Sequence, residues 1–238
     1  MKQHEAVILA LEKLGGQATL AELYHHVMEI KDCDWKTKTP FASIRRIVQL
    51  QPEIFKVQPG LWALRSYQKK LGLEEQGKSE ETRENSHYYY QGLIATIGNL
   101  RGYKTFIPNQ DKNRLFVNQP LHLVRSLNNI PQFSYENITN RSQTVDVIWF
   151  NERQMPHSFF EVEHSTDIKS SLLKFYDLQD FQSQMVIVAD KKRDREFDDK
   201  VKFGAFQSIK GRVMFLNYDT LVKQYEYEVL KASQPFSI

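Results

Sequence analysis

The chain has one cysteine and no long apolar run, and each absence excludes a class of protein. Cys33 alone among 238 residues excludes an intramolecular disulfide and a zinc site built from cysteines. No segment approaches about 18 consecutive apolar residues, so the sequence predicts no membrane span. The first residues, MKQHEAVILALEKLGG, carry Glu5 and Glu12 and lack the apolar core and cleavage site of a signal peptide. We therefore expect a cytoplasmic protein.

The chain also lacks a strong excess of charge of either sign. Its net charge of +3 permits nucleic acid binding without requiring it. Residues 1–70 carry 11 Lys or Arg against 7 acids, residues 71–86 carry 2 against 5, and the remainder carries 19 against 17. A basic N-terminal segment, a short acidic segment and a long segment with balanced charge predict two domains joined by a linker. We place the first at 1–66, a polar linker at 67–86 and the second at 87–238.

The N-terminal segment has the pattern of three helices followed by a hairpin. Apolar residues recur at helical spacing over 4–14 and 19–31, and a third helix is predicted to begin at Thr39-Pro40 and run through FASIRRIVQL. IFKVQ and LWALR then predict two strands around Pro59-Gly60. This is the element order of a winged helix-turn-helix.

In such a domain the third helix would lie in the major groove of DNA. Its polar face and the residues just ahead of it would contact DNA, because Arg reads guanine and Lys contacts phosphate. The candidate DNA-binding residues are Lys36, Lys38, Ser43, Arg45, Arg46 and Gln49. The alternative is that these residues form an ordinary solvated face and that the domain mediates protein contacts.

The second half of the chain alternates helical and strand patterns. HYYYQGLIATIGNLRGY and IKSSLLKFYDLQDF predict helices, and KTFIP, TVDVIWF, SFFEVEHS, MVIVAD and RVMFLN predict strands. MVIVAD is apolar throughout, which is typical of a strand covered on both faces. The pattern predicts an α/β fold with a mixed sheet flanked by helices. Residues 109–144 predict only loops and short helices.

Three acids stand in two of these strands. Glu161 and Glu163 alternate with Phe160 and Val162, so both carboxylates are expected on one face of the sheet, near Asp146. Buried carboxylates need a compensating partner, and Mg²⁺ takes oxygen ligands and activates water for attack on phosphate. The alternative is that the glutamates pair with Lys or Arg at a sheet edge and that Asp146 caps a turn.

This pattern resembles the PD-(D/E)XK nuclease superfamily over about residues 84–220. Asp146 matches the first acid of that superfamily and Glu161 the second, whereas Glu163 stands where most members have lysine. The resemblance implies one or two Mg²⁺ ions held by Asp146, Glu161 and the carbonyl of Val162, with Glu163 as a proton acceptor. It implies a displaced lysine, with Lys174 favoured over Lys169. The first helix of the second domain would contribute side chains to the metal site, from Glu84, His87 and Gln91.

Residues 1–66 resemble the HARE-type winged helix, which is found fused to restriction endonucleases. The resemblance rests on a leucine-rich first helix, the Lys38-Thr39-Pro40 entry to the third helix and the closing IFKVQPGLWALR. Together the two resemblances imply a Mg²⁺-dependent restriction endonuclease, type II-like, that cuts double-stranded DNA at a specific site in a prokaryotic cytoplasm as a homodimer. The alternatives are a nuclease that senses modified DNA and a non-catalytic DNA-binding regulator.

Overall fold

A computed structural model describes residues 1–73 and 80–233, with the backbone alone for 80–84 and 233. The chain divides into two compact units, one formed by Met1–Thr82 with Val229–Ile238 and the other by Arg83–Glu228. None of the helices within the described ranges is long and apolar enough to cross a membrane.

The first unit contains the predicted three helices and hairpin. Its elements are α1 (Gln3–Lys13), β1 (Gln17–Thr19), α2 (Leu20–Met28), α3 (Pro40–Leu50), β2 (Ile54–Gln58) and β3 (Leu61–Leu64). Strand β3 pairs antiparallel with both β1 and β2, in the order β1-β3-β2. The short strand β1 was not predicted, because three residues are too few for an alternating pattern to show.

Local chemistry accounts for the ends of these helices. Thr19 caps α2, since its hydroxyl accepts from the backbone N–H of Glu22 at 3.2 Å and Glu22 accepts from the backbone N–H of Thr19 at 2.7 Å. Pro40 stands in the first turn of α3, where its missing N–H costs no hydrogen bond. Gly60 has a φ of 78°, a conformation that glycine adopts readily, and turns β2 into β3.

The second unit is built around a larger sheet. Its elements are α4 (Glu80–Leu100), β4 (Lys104–Phe106), β5 (Leu115–Phe116), β6 (Gln119–Pro120), α5 (Leu121–Val124), α6 (Glu136–Ser142), β7 (Val147–Phe150), β8 (Pro156–Glu163), α7 (Ile168–Asp177), β9 (Gln184–Ala189), α8 (Asp194–Val201), β10 (Val213–Asn217) and α9 (Tyr218–Ser233). Helix α4 begins at Glu80, inside the segment predicted as linker.

The sheet of this unit is mixed, as the sequence predicted. Among the described residues it has five strands in the order β10-β9-β8-β7-β4. Strands β8, β9 and β10 run parallel, whereas β7 pairs antiparallel with both β8 and β4. Helices flank the sheet, which makes the unit a mixed α/β fold of the restriction-endonuclease-like kind.

The two faces of the sheet bury different sets of aromatic residues. Phe150, Phe159 and Phe175 belong to the core between the sheet and α7, and all three are fully buried. On the other side the indole N–H of Trp149 donates to the carbonyl of Ile94 in α4 at 3.1 Å. Trp149 is therefore a core residue.

Several predicted boundaries in this unit are wrong, the largest differences being in β7 and α7, and one helix was missed. Strand β7 begins at Val147 rather than at Thr144, because the side chain of Asp146 takes a hydrogen bond that a strand backbone would otherwise take. Helix α7 ends at Asp177, four residues short of Phe181. Helix α8 begins at Asp194, inside the basic run KKRDR at 191–195, for which the sequence left a solvated loop and a phosphate contact equally open.

Candidate active site

The candidate site lies where β7 begins and β8 ends. These strands are antiparallel, with Val147 opposite Phe160, so the residue before β7 comes next to the last residues of β8. Asp146 and Glu161 are thereby brought together from positions well separated in the chain. Helices α4 and α7 supply the remaining side chains of the site.

Asp146 is held by two partners. Its Oδ2 accepts from the backbone N–H of Val162 at 2.8 Å, and its Oδ1 lies 3.6 Å from Nε2 of His87 on α4. The Asp146 side chain is only 14% exposed. The carboxylate is therefore fixed against the end of β8 on one side and faces an imidazole on the other.

Glu161 is buried and paired with a lysine from α7. Lys174 Nζ donates to its Oε1 at 2.9 Å and to its Oε2 at 2.8 Å, and also to the carbonyl of Thr144 at 2.8 Å. Ser171, one helical turn before Lys174, donates from its hydroxyl to Glu161 at 3.0 Å. The structure thus places Lys174 in the site, whereas Lys169 is exposed.

Glu163 shares the face of Glu161 and, besides Ser171, has partners of its own. Its carboxylate accepts from the hydroxyls of Thr166 and Ser171, and the guanidinium of Arg193 lies 3.9 Å away. The hydroxyl of Tyr218 donates to its backbone carbonyl at 3.0 Å. The expected alternation along β8 is confirmed, because both glutamates reach Ser171. Glu163 nevertheless differs from Glu161 in that it accepts hydrogen bonds from Thr166, just before α7, and from Ser171 in the first turn of α7, and not from Lys174.

Helix α4, the first helix of the second unit, reaches the site through His87 and Gln91. Gln91 is fully buried, and its Nε2 lies 3.1 Å from Nε2 of His87 and 3.0 Å from Oδ2 of Asp111. The backbone of Glu84 belongs to α4, but its side chain lies outside the described residues. Of the three candidates on this helix, His87 thus lies beside Asp146, and Gln91 lies behind His87.

The surroundings of Asp146 and Glu161 shift the pKa values of these two acids in opposite directions. Burial, and then the neighbouring charge of Asp146, raise the pKa of Glu161 to about 8, although Lys174 and Ser171 act in the opposite direction. Burial also acts to raise the pKa of Asp146, but His87 and Lys174 outweigh it and hold that pKa below its usual value. In return Asp146 raises the pKa of His87, against the effect of burial. The two carboxylates therefore repel each other in a poorly solvated place.

The acids of the site are of the kind that a hard divalent cation takes as ligands. No three His, Cys, Asp or Glu side chains in the described part of the chain are arranged as a ready metal cluster. The predicted set, however, consists of two carboxylates and the carbonyl of Val162, and oxygen atoms are the ligands that Mg²⁺ prefers. A cation between Asp146 and Glu161 would relieve the repulsion that raises the pKa of Glu161.

Comparison with known proteins gives the family. A family model described as the C-terminal domain of the type II restriction enzyme NmeDI matches residues 70–234, well over half of the chain. The chain belongs to this family.

The type II restriction enzyme NmeDI of Neisseria meningitidis serogroup C is 27% identical over 125 residues. That alignment covers 47% of this chain and 35% of the relative, so the chain matches about a third of the length of that protein. No solved structure matches the chain significantly. The part that matches the NmeDI C-terminal family contains every acid of the candidate site.

The predicted DNA-binding residues lie in the first unit, outside the match to the NmeDI C-terminal family. Ser43 is half-buried on α3, and the other candidates are exposed. Lys36 lies 4.0 Å from Asp34. The exposed candidates are Lys36, Lys38, Arg45, Arg46 and Gln49. They present cationic and polar groups around α3, as the sequence suggested for a recognition helix.

Sequence reasoning missed several residues of the site in this NmeDI-family unit. Ser171 lies in the predicted helix, but a serine on an amphipathic helix carries no signal of its own. Arg193 was part of the basic run at 191–195, yet its side chain is only 13% exposed, and it pairs with Glu196 at 2.9 Å while lying 3.9 Å from Glu163. Asp111 falls in the segment that gave no pattern. These residues are brought to the site by the tertiary fold alone.

Proposed function

We propose that this protein is a Mg²⁺-dependent endonuclease of restriction type that hydrolyses phosphodiester bonds of double-stranded DNA. The observation that carries the proposal is the partly buried Asp146, just before β7, next to the buried Glu161 near the end of β8, which Lys174 contacts. Membership of the NmeDI C-terminal family supports the restriction-type nuclease. The alignment covers only about a third of the length of the relative, so the activity of a complete restriction enzyme does not follow from the family match and is proposed for this chain.

Each residue of the site has a part in the proposed reaction. Asp146, Glu161 and the carbonyl of Val162 would hold the cation, which when bound would activate water and offset negative charge at the scissile phosphate. Lys174 would place a fixed positive charge beside that phosphate, where it stabilises the charge that develops during hydrolysis. His87 would steady Asp146 from the side opposite Val162.

The arrangement supports the assignment to the PD-(D/E)XK superfamily with a displaced lysine. In most members of that superfamily the lysine follows the second acid in the same strand, where this chain has Glu163. Here Lys174 comes from α7 and reaches both oxygens of Glu161. We therefore assign the lysine role to Lys174, and we assign Glu163 to holding the start of α7 through Thr166 and Ser171.

The first unit would supply DNA contacts. We propose that it is a HARE-type winged helix in which α3 enters a major groove and Lys36 and Lys38 contact phosphates. We further propose that the protein acts as a homodimer, because cutting both strands at one site commonly uses two active sites related by twofold symmetry.

The test is cleavage of phage DNA in Mg²⁺, with and without adenine or cytosine methylation. We expect discrete fragments with the parent protein and none in EDTA or with Glu161→Gln. Glu228→Gln is the matched control, because Glu228 is also a buried glutamate paired with a cation, at 2.8 Å from Arg101. The control is expected to cleave as the parent does.

Each departure from this result has a defined meaning. Fragments from methylated DNA only would identify a nuclease that senses modified bases. Fragments that persist with Glu161→Gln would show that the site is elsewhere. Intact DNA under every condition, with binding preserved, would leave a non-catalytic DNA-binding regulator.

A further inference from the structure

Residues 107–120, which connect β4 to α5, pack against α4. The ring of Phe116 lies 5.8 Å from that of Tyr89. A Cβ atom added at Gly92 would stand 2.2 Å from the same phenylalanine ring, so the absence of a side chain at this position makes room for the contact. Asp111 in this segment accepts a hydrogen bond from Gln91 at 3.0 Å. The segment is thus fitted to the helix that carries His87.

A continuous chain of contacts leads from this segment to the candidate active site. Asp111 contacts Gln91, Gln91 lies 3.1 Å from His87, and His87 lies 3.6 Å from Asp146. The same ring nitrogen of His87, Nε2, thus lies between the Gln91 amide and the Asp146 carboxylate. Asp111 therefore sets the orientation of the Gln91 amide, and the amide in turn restrains the His87 ring.

The members of this chain are well buried. Gln91 is fully buried and Asp111 is 7% exposed, so water does not readily replace a lost contact. A buried polar group that loses its partner costs about 1–3 kcal/mol, so the hydrogen bond to Asp111 helps to hold the Gln91 side chain in place. Rigid support of this kind is what keeps a ligand carboxylate in one place.

We propose that Asp111 is a positioning residue for the candidate site: through Gln91 it holds the His87 ring against Asp146. This inference rests on the proposed function. Within the described residues, the other hydrogen bond to the Asp146 carboxylate is the one that its Oδ2 accepts from the backbone N–H of Val162. Without the support of His87, the Asp146 carboxylate could rotate about its hydrogen bond with Val162, and its oxygens would no longer be held in the orientation that the proposed cation requires.

The test is binding of Ca²⁺ to the metal-free full-length protein, followed by calorimetry, beside DNA cleavage in Mg²⁺. Loss of a residue that orients a metal ligand lowers metal affinity or activity by about 10- to 100-fold. We expect a loss of that size for Asp111→Ala. Asp111→Asn keeps an oxygen that accepts from Gln91 and is expected to bind Ca²⁺ nearly as well as the parent. Asp180→Ala removes an exposed aspartate of the same unit and is the matched control.

A double-mutant cycle with His87→Ala separates positioning from a general loss of structure. If Asp111 acts through His87, then Asp111→Ala has little further effect in the His87→Ala background, whereas independent effects add. Gln91→Met cuts the same chain at its centre and takes the place of Asp111→Ala if that variant does not fold.

The outcomes distinguish this inference from the proposed function. A parent protein that cleaves DNA and binds Ca²⁺, together with an unchanged Asp111→Ala or with additive effects in the cycle, would overturn the positioning role alone. A parent protein that neither binds Ca²⁺ nor cleaves DNA would overturn the proposed function, and the positioning role with it.

Discussion

Lys174 and Lys169 belong to the same helix but differ in their surroundings. Lys174 is 24% exposed and donates to both oxygens of Glu161, whereas Lys169 is exposed at the start of α7. We expect Lys174→Met to lower the rate of DNA cleavage by about 100-fold or more, the usual effect of removing one group that stabilises developing charge. Lys169→Met should leave the rate unchanged.

Single-turnover cleavage at saturating DNA measures this difference. Thermal unfolding is recorded for both variants, because removal of Lys174 leaves the buried Glu161 without its positively charged partner and could lower stability. Equal rates for the two variants, with both proteins folded, would show that Lys174 has no part in the reaction.

The second prediction at the scale of single residues concerns His164. Burial, and then the charges of His87 and Arg193, lower its pKa from 6.5 to about 4. Between these two values the unfolded chain binds a proton that the folded protein does not. The free energy of unfolding should therefore fall as the pH falls from 6.5 to 4, by up to about 3 kcal/mol from this group.

Urea unfolding in EDTA across this pH range measures the effect. His164→Asn should flatten the pH dependence, whereas His122→Asn, which removes an exposed histidine of the same unit, should not. A parent and a His164→Asn variant with parallel pH profiles would show that His164 titrates normally.

At the scale of elements, the fit between α4 and residues 107–120 depends on Gly92. An alanine in a helix is ordinarily favoured over glycine by about 1 kcal/mol. At this position, however, its methyl group would stand 2.2 Å from the ring of Phe116, and overpacking of this kind costs about 1–3 kcal/mol. We expect Gly92→Ala to lower the free energy of unfolding.

Chemical denaturation tests this expectation, with Gly204→Ala as the control, because a Cβ at Gly204 would meet no atom within 4 Å. If Gly92→Ala were more stable than the parent, helix propensity would outweigh the contact and Phe116 would have room to move.

The elements themselves were largely predictable, and the contacts between them were not. Strands β7, β8 and β9 follow from apolar runs, and the face shared by Glu161 and Glu163 follows from alternation. Asp111 could not be connected to Gln91, because that contact depends on how residues 107–120 fold over α4. Arg193 could not be distinguished from the solvated lysines beside it, since its burial depends on the position of β8.

At the scale of the whole molecule, the cationic surface around α3 would govern DNA affinity. Arg45 and Arg46 are exposed on that helix. We expect the double change Arg45→Ala with Arg46→Ala to weaken binding and to reduce the salt dependence of binding, because each phosphate contact that is lost lowers the slope of log affinity against log salt by about 1. Cleavage at saturating DNA should change little.

Equilibrium binding at several salt concentrations measures this slope. Lys13→Ala removes an exposed cation of α1 outside the predicted set and serves as the comparison. An unchanged affinity and slope in the double variant would favour the alternative that the first unit mediates protein contacts.

Ser171 has one hydroxyl hydrogen, yet its oxygen contacts the carboxylates of both Glu161 and Glu163. The hydroxyl hydrogen has to be shared unless one of the carboxyl groups carries a proton, and burial, which raises the pKa of Glu161 to about 8, favours a proton on Glu161. A cation bound by Glu161 would displace that hydrogen into the solvent. Filling the site would therefore release acid, and calorimetric titration of Ca²⁺ in two buffers of different protonation enthalpy would count the protons.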